Sequence, residues 1–240
     1  MVVAGVGVSF GADMPVKAPR PATVFAPGPL VNPFAGGTVV PDAYYVEAGA
    51  VFGIHHDLNS DGWLFRIKAG GGEYEYNLTA ATKQSASFQT FDAMIGYQKF
   101  VGDVRWTGYI GLNVENHDNS DVLAKVRGTE AGAKFQGEVF APLGGGWYAL
   151  GVASYSTVWN SYFTQAKLGV PVTPTISVGP EVAALGNDRF SAVRTGPFVA
   201  FEITSSVQLI LSGGYTWDTK TDPLNDHSGG YGVVHIRGLI

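Results

Sequence analysis

The stretch Val104–His117, VRWTGYIGLNVENH, decides the fold. Read with a period of two, Val104, Trp106, Gly108, Ile110, Leu112 and Val114 fall on one side. Arg105, Thr107, Tyr109, Gly111, Asn113, Glu115 and His117 fall on the other. Side chains of a β-strand point alternately to opposite faces, so this segment is apolar on one face and charged on the other, whereas a helix would mix the two classes. It exceeds the about five or six residues of an ordinary strand and the roughly nine to eleven that cross a bilayer at a tilt.

The rest of the chain carries the same alternation. The reading predicts strands at Asn32–Val39, Ala43–His55, Trp63–Tyr76, Gln89–Phe100, Val104–His117 and Gly128–Ala141, then at about 147–159, 161–170, 175–186, 190–202, 207–217 and 230–240. That makes twelve, with ten as the alternative count. Val101–Asp103, Pro142–Gly146, Pro171–Pro174 and Ile203–Ser206 read as tight turns, and Asn77–Phe88, Asp118–Arg127 and Asp218–Gly229 as long polar loops. Short turns interleaved with long loops are the habit of an outer-membrane barrel, and an even strand count places both termini in the periplasm.

Composition agrees. Charged residues make up 15% of the 240, against roughly 25% in average soluble proteins, with 33 glycines and 12% aromatics. A net charge of −5 with no clustered basic patch argues against nucleic acid. The chain has no cysteine, which excludes disulfides and thiolate sites. Residues 1–12, MVVAGVGVSFGA, resemble the apolar back half of a secretory signal, with small residues Ser9, Gly11 and Ala12 before Asp13. Residues 13–31 are proline-rich and read as an extended periplasmic linker, leaving 32–240 for the barrel.

Which face looks outward is settled by three features. Twelve strands enclose a lumen too wide to fill with Ala, Val and Ile. Aromatics gather near strand ends, at Tyr44, Tyr45, Tyr74, Tyr76, Trp147, Tyr148, Trp159, Tyr162, Phe163, Tyr215 and Trp217, as in interfacial girdles. The polar faces are balanced, with Arg66, Lys68, Arg105, Lys134, Lys167, Arg194 and Arg237 against Glu47, Asp92, Glu115, Glu130, Glu138, Glu181 and Glu202. Charges withdrawn from water need partners, so this matched set is expected to form an ion-pair network inside the barrel.

Five segments carry a resemblance to a known family: DLNSDGWLFRIKAGGGEYEY (57–76), IGYQ (95–98), GTEAGAKFQGEVF (128–140), SYSTVWNSYFTQAKLG (154–169) and SVGPEVAALGNDRF (177–190). They resemble the cellulose biosynthesis protein BcsS family of alphaproteobacteria, from about Tyr44 to the C-terminus. The resemblance implies an outer-membrane barrel associated with cellulose production, with cellulose or secretion components as partners and no catalytic residues to transfer. The chain departs from most outer-membrane barrels in ending HIRGLI rather than in an aromatic residue.

The motifs that could carry chemistry resolve into blander readings. Asp57, Asn59 and Asp61 with Gly62 match the first half of a calcium loop, but position twelve, where a bidentate Glu is required, is Lys68. The same residues suit a β-turn with Asx bonds, and no metal or cofactor is expected. Asp118, Asn119, Asp121, Asp222 and Asp226 form acidic loops. His117 shares a face with Glu115 and His235 lies near Arg237, yet no His-x-Ser pair shares a strand face, as hydrolysis would need. His55 and His56 adjoin a turn. Glu130 and Glu138 stand about 27 Å apart at roughly 3.3 Å per residue, too far for a glycosidase pair.

The reading is therefore an all-β, closed antiparallel transmembrane barrel in the bacterial outer membrane, in contact with its lipid and non-enzymatic. Through the resemblance it serves cellulose synthesis or export by scaffolding or polysaccharide contact. A small-solute pore or structural barrel unrelated to cellulose is the alternative, and a lipid-modifying enzyme the second.

Overall fold

The computed structural model describes residues 29–79, 82–121, 124–219 and 227–238. Twelve strands follow one another: β1 (Val31–Val40), β2 (Ala43–Gly53), β3 (Gly62–Thr79), β4 (Thr82–Val101), β5 (Val104–Asp118), β6 (Gly128–Gly144), β7 (Trp147–Ser156), β8 (Ser161–Thr173), β9 (Ile176–Gly186), β10 (Ser191–Thr204), β11 (Val207–Asp218) and β12 (Gly229–Gly238). Each pairs antiparallel with its chain neighbours. The opening segment is a real strand and closes the cylinder: β1 pairs with β12 from Phe34↔Arg237 to Val39↔Gly232. Closure leaves no sheet edge, which a hydrocarbon environment demands. The signal-like segment 1–12 and residues 13–28 of the proline-rich segment lie outside the described residues.

Both strand ends nearest the termini, Val31 and Gly238, lie at one end of the cylinder, together with the β4–β5, β6–β7, β8–β9 and β10–β11 turns. This is the terminus end. The opposite, loop end carries the β5–β6 and β11–β12 connections and the β3–β4 hairpin.

The hairpin differs from the expectation of a long polar loop at Asn77–Phe88. There β3 and β4 stay paired from Tyr76↔Gln84 to Glu73↔Ser87 and as far as Thr79↔Thr82. Alternation continues, but the outward side becomes Glu73, Glu75 and Ser85, because this part of the hairpin stands beyond the apolar band. The tight turns are also shorter than expected, at Gly145–Gly146, Pro174–Thr175 and Ser205–Ser206, since β6, β8 and β10 run on to Gly144, Thr173 and Thr204.

The apolar faces look outward. Trp106 and Ile110 are each 54% exposed and Leu112 67%, whereas Arg105, Thr107, Tyr109, Asn113, Glu115 and His117 on the same strand are buried. The lumen, however, is not lined by charge alone. One apolar cluster joins Phe34, Val51, Leu58, Leu64, Met94 and Tyr109 near the terminus end, and a larger one includes Tyr74, Phe88, Trp159, Phe163 and Phe198. The expected girdle divides accordingly. Tyr44, Trp147, Tyr215 and Trp217 point outward, joined by Trp63, Tyr97 and Tyr155, but Tyr45, Tyr74, Tyr76, Tyr148, Trp159 and Phe163 point in. Parity is the reason: Tyr74 and Tyr76 share the face of Arg66 and Lys68, and neighbours such as Tyr44 and Tyr45 cannot face the same way.

Inward glycines make room for these rings. A Cβ at Gly70 would lie 2.4 Å from the Tyr45 hydroxyl, at Gly96 2.3 Å from the Tyr109 ring and at Gly169 2.1 Å from the Tyr148 ring. Gly96 and Gly169 are the register partners of Tyr109 and Tyr148, so each ring folds flat over the bare backbone of the adjacent strand.

Leu112 lies on the outward face near the middle of β5. Leu112→Arg is expected to destabilise the folded barrel by about 2–4 kcal/mol, the cost of a cation on a lipid face at mid-depth. Urea unfolding in phospholipid vesicles measures it.

Candidate functional site: the lumen

The β2–β7 side of the lumen is organised around Asp92. Register places it opposite Lys68 on β3 and Asn113 on β5. Its Oδ2 receives Lys134 Nζ at 2.8 Å and Lys68 Nζ at 3.3 Å, and its Oδ1 accepts from Asn113 Nδ2 at 2.8 Å. Lys68 also pairs with Glu47 at 3.2 Å, whose carboxylate accepts the Tyr45 hydroxyl at 3.0 Å. Asn113 donates a second bond to Thr90 and accepts one from Ser156 Oγ at 2.6 Å, carrying the network to β7. Asp92, Lys68 and Arg66 are each 1% exposed. Desolvating such charges costs several kcal/mol apiece, and only this density of donors and opposite charges offsets it.

Arg66 lies 3.9 Å from Glu138 and within 6 Å of the Phe34 and Tyr109 ring centres. Arg105 stacks over Phe140. At the loop end, His117 accepts or donates a 3.2 Å bond with the Tyr74 hydroxyl, approaches Glu115 at 3.6 Å and sits edge-on to Trp159 at 4.6 Å between ring centres. Trp159 belongs to a short 3-10 turn, Val158–Asn160, between β7 and β8. Its φ of +46°, followed by +50° at Asn160, is a left-handed pair that non-glycine residues seldom adopt. That turn buries the indole in the barrel mouth.

On the β8–β12 side, Lys167 pairs with Glu181 at 2.9 Å, and Glu181 also accepts from Ser212 at 2.9 Å and Tyr231 at 2.8 Å. Arg194 lies over the Tyr231 ring. Arg237, half-buried near the terminus end, donates to Gln208 Oε1 through both Nε and Nη2. Glu130 is half-buried opposite Glu115, and Glu202 is exposed at the terminus-end rim. The fourteen alternating charges thus have unequal surroundings.

The neutral polar residues Asn113, Ser156, Gln98, Gln165 and Ser212 were not singled out by charge balance. Their inward parity was the available signal.

In the Asp57–Asp61 turn the acidic side chains bond donors of the chain itself. Asp57 Oδ1 accepts the Asn59 amide at 2.9 Å, an Asx turn. Asp61 pairs with Lys99 and accepts the Phe100 amide at 2.7 Å, contacts that hold its carboxyl below the usual range. The same connection folds inward: Leu58 is buried in the terminus-end cluster, and Gln98 Nε2 donates to the carbonyls of Leu58 and Ser60 at 2.9 and 2.8 Å.

Asp92→Asn keeps the shape but strips the charge that Lys68 and Lys134 share. It is expected to cost about 3–5 kcal/mol, as when one partner of a buried pair is removed. Glu202→Gln at the rim should stay within about 0.5 kcal/mol. Equilibrium unfolding in one detergent compares the two.

Comparison with known proteins adds to this geometry. The model of a family described as cellulose biosynthesis protein BcsS matches residues 33–239. No curated protein matches the chain. Among solved structures, an outer-membrane channel of Pseudomonas putida F1 is similar with a TM-score of 0.54 at 12% identity, over 93% of this chain and all of the other. The β domain of the Bordetella autotransporter BrkA is similar with a TM-score of 0.50 at 13% identity, over 90% of this chain and all of that domain. At these identities the likeness is one of fold.

Proposed function

This chain belongs to the cellulose biosynthesis protein BcsS family, and we propose that it is a non-enzymatic outer-membrane barrel that assists cellulose synthesis or export without passing the glucan through its own lumen. The observation that carries this reading is the filling of the interior. The Asp92 network and the aromatic clusters occupy it, with Arg66, Lys68, Asp92, Asn113, Tyr74 and Tyr76 all at 0–1% exposure. A buried charge network gives up its partners only at high cost, so it makes a poor lining for a path that must open and close.

Its work then falls to its outer surfaces, as a scaffold for secretion components or a contact for polysaccharide. The loop end supports this assignment, because the β3–β4 hairpin stands beyond its neighbours and carries Glu73, Glu75 and Lys83 outward. Lys83 ties it to the β1–β2 turn through Asp42 at 2.7 Å and to Glu75 at 2.6 Å. With the termini at the end of short turns, the hairpin faces the cell exterior. A non-catalytic role is consistent with His117, whose polar partners are Tyr74 and Glu115 rather than a serine.

Two measurements test the proposal. Planar-bilayer recording of the purified chain should show no stable open state, and a conductance of general-porin size would contradict the filled lumen. Deletion of the coding sequence should lower cellulose yield without making the envelope leaky. Leakiness with normal cellulose would instead favour a pore or structural barrel.

A further inference from the structure

The two sides of the lumen differ in charge. On β2–β6, Glu47, Asp92, Glu115 and Glu138 are buried among Arg66, Lys68, Arg105 and Lys134. On β8–β12, the buried charges among the described residues are Lys167, Glu181 and Arg194, with Arg237 half-buried below them. The carboxylate at their level, Glu181, is fully engaged. It accepts from Lys167, Ser212, Tyr231 and, at 3.5 Å, Gln165. A carboxylate offers about four lone-pair positions, so none is left for Arg194.

Arg194 is 7% exposed, and its guanidinium lies 5.7 Å from the Tyr231 ring centre. No described residue accepts a hydrogen bond from it, and its Nε is buried without a partner. Thr216 is the register partner of Arg194 across β10–β11. It faces the lumen at 4% exposure, and its hydroxyl too has no bond to a described residue. The other register partner is Ala183, and the next inward positions on β10 are Ala192 and Gly196, so the inward positions flanking Arg194 carry short side chains. Arg66 differs: it has Glu138 and two rings, and it is sealed at 1% exposure.

An arginine cannot shed its proton, and a buried guanidinium whose donors meet no acceptor is costly. Its planar fork is built to take two oxygens of one anion. We propose that Arg194 and Thr216 form an anion site on the basic side of the lumen, reached from the loop end, that takes a carboxylate or phosphate group. Arg194 supplies the charge and the paired donors, Thr216 adds a hydroxyl donor, and Lys167 below keeps the local potential positive.

The test uses the full chain in detergent micelles, with thermal unfolding followed by tryptophan fluorescence. Sodium phosphate and sodium glucuronate are titrated separately against sodium chloride of equal ionic strength, which distinguishes a phosphate from a sugar-borne carboxylate. At least one should raise Tm saturably, by about 5 °C when it exceeds its dissociation constant a hundredfold. Arg194→Met should abolish that rise while leaving Tm without anion unchanged or higher, because it removes buried donors that have no acceptor. Arg194→Lys, which keeps the charge and folding requirements, should weaken the anion on the order of tenfold by losing the fork. No specific rise in the unaltered chain, or an equal rise in Arg194→Lys, would overturn the site.

Discussion

In hydrocarbon, a backbone amide has no partner except another strand, and that constraint governs the rest of this structure. It forces twelve strands to close through β1 and β12, and closure turns simple alternation into a sorting rule. Within the apolar band every second side chain meets lipid and every other one meets the interior. Trp106 and Leu112 are therefore bound to the outside by the same register that sends Arg105 and Asn113 inward.

The interior that results has two textures. Ion pairs centred on Asp92 and Glu181 bridge strands, while rings such as Phe88, Trp159 and Phe163 pack around them. Neither texture would suffice alone. Aromatic packing excludes water and strengthens each ion pair, and the ion pairs satisfy polar groups that parity places inside. Glycine is abundant partly because rings such as Tyr109 and Tyr148 need bare backbone beside them.

Much of this was legible in the chain. Val104–His117 gave its two faces because its alternation is unbroken from end to end. The β3–β4 hairpin was obscured because alternation beyond the apolar band pairs polar with polar, as at Asn77, Lys83 and Ser85. Tyr74 and Tyr76 stand near a strand end, where girdle residues gather, yet counting from Arg66 puts them inside. Partners such as Asp92 and Lys134 meet across strands distant in sequence, so no local pattern names them. The different surroundings of Arg194 and Lys68 are equally invisible to a charge count. Pro180 and Pro197 are a further case. They are direct partners in β9–β10, and the neighbouring ladders skip that level, where each proline lacks an amide to donate.

The central claim is that one face of each strand meets lipid while the other is sealed inside, and the five tryptophans report on it. Trp63, Trp106, Trp147 and Trp217 face outward, and Trp159 is buried in the mouth. Single-tryptophan variants reconstituted with brominated lipids test the claim most directly. The account predicts strong quenching of Trp106 and near-complete protection of Trp159; quenching of Trp159 with Trp106 protected would contradict it.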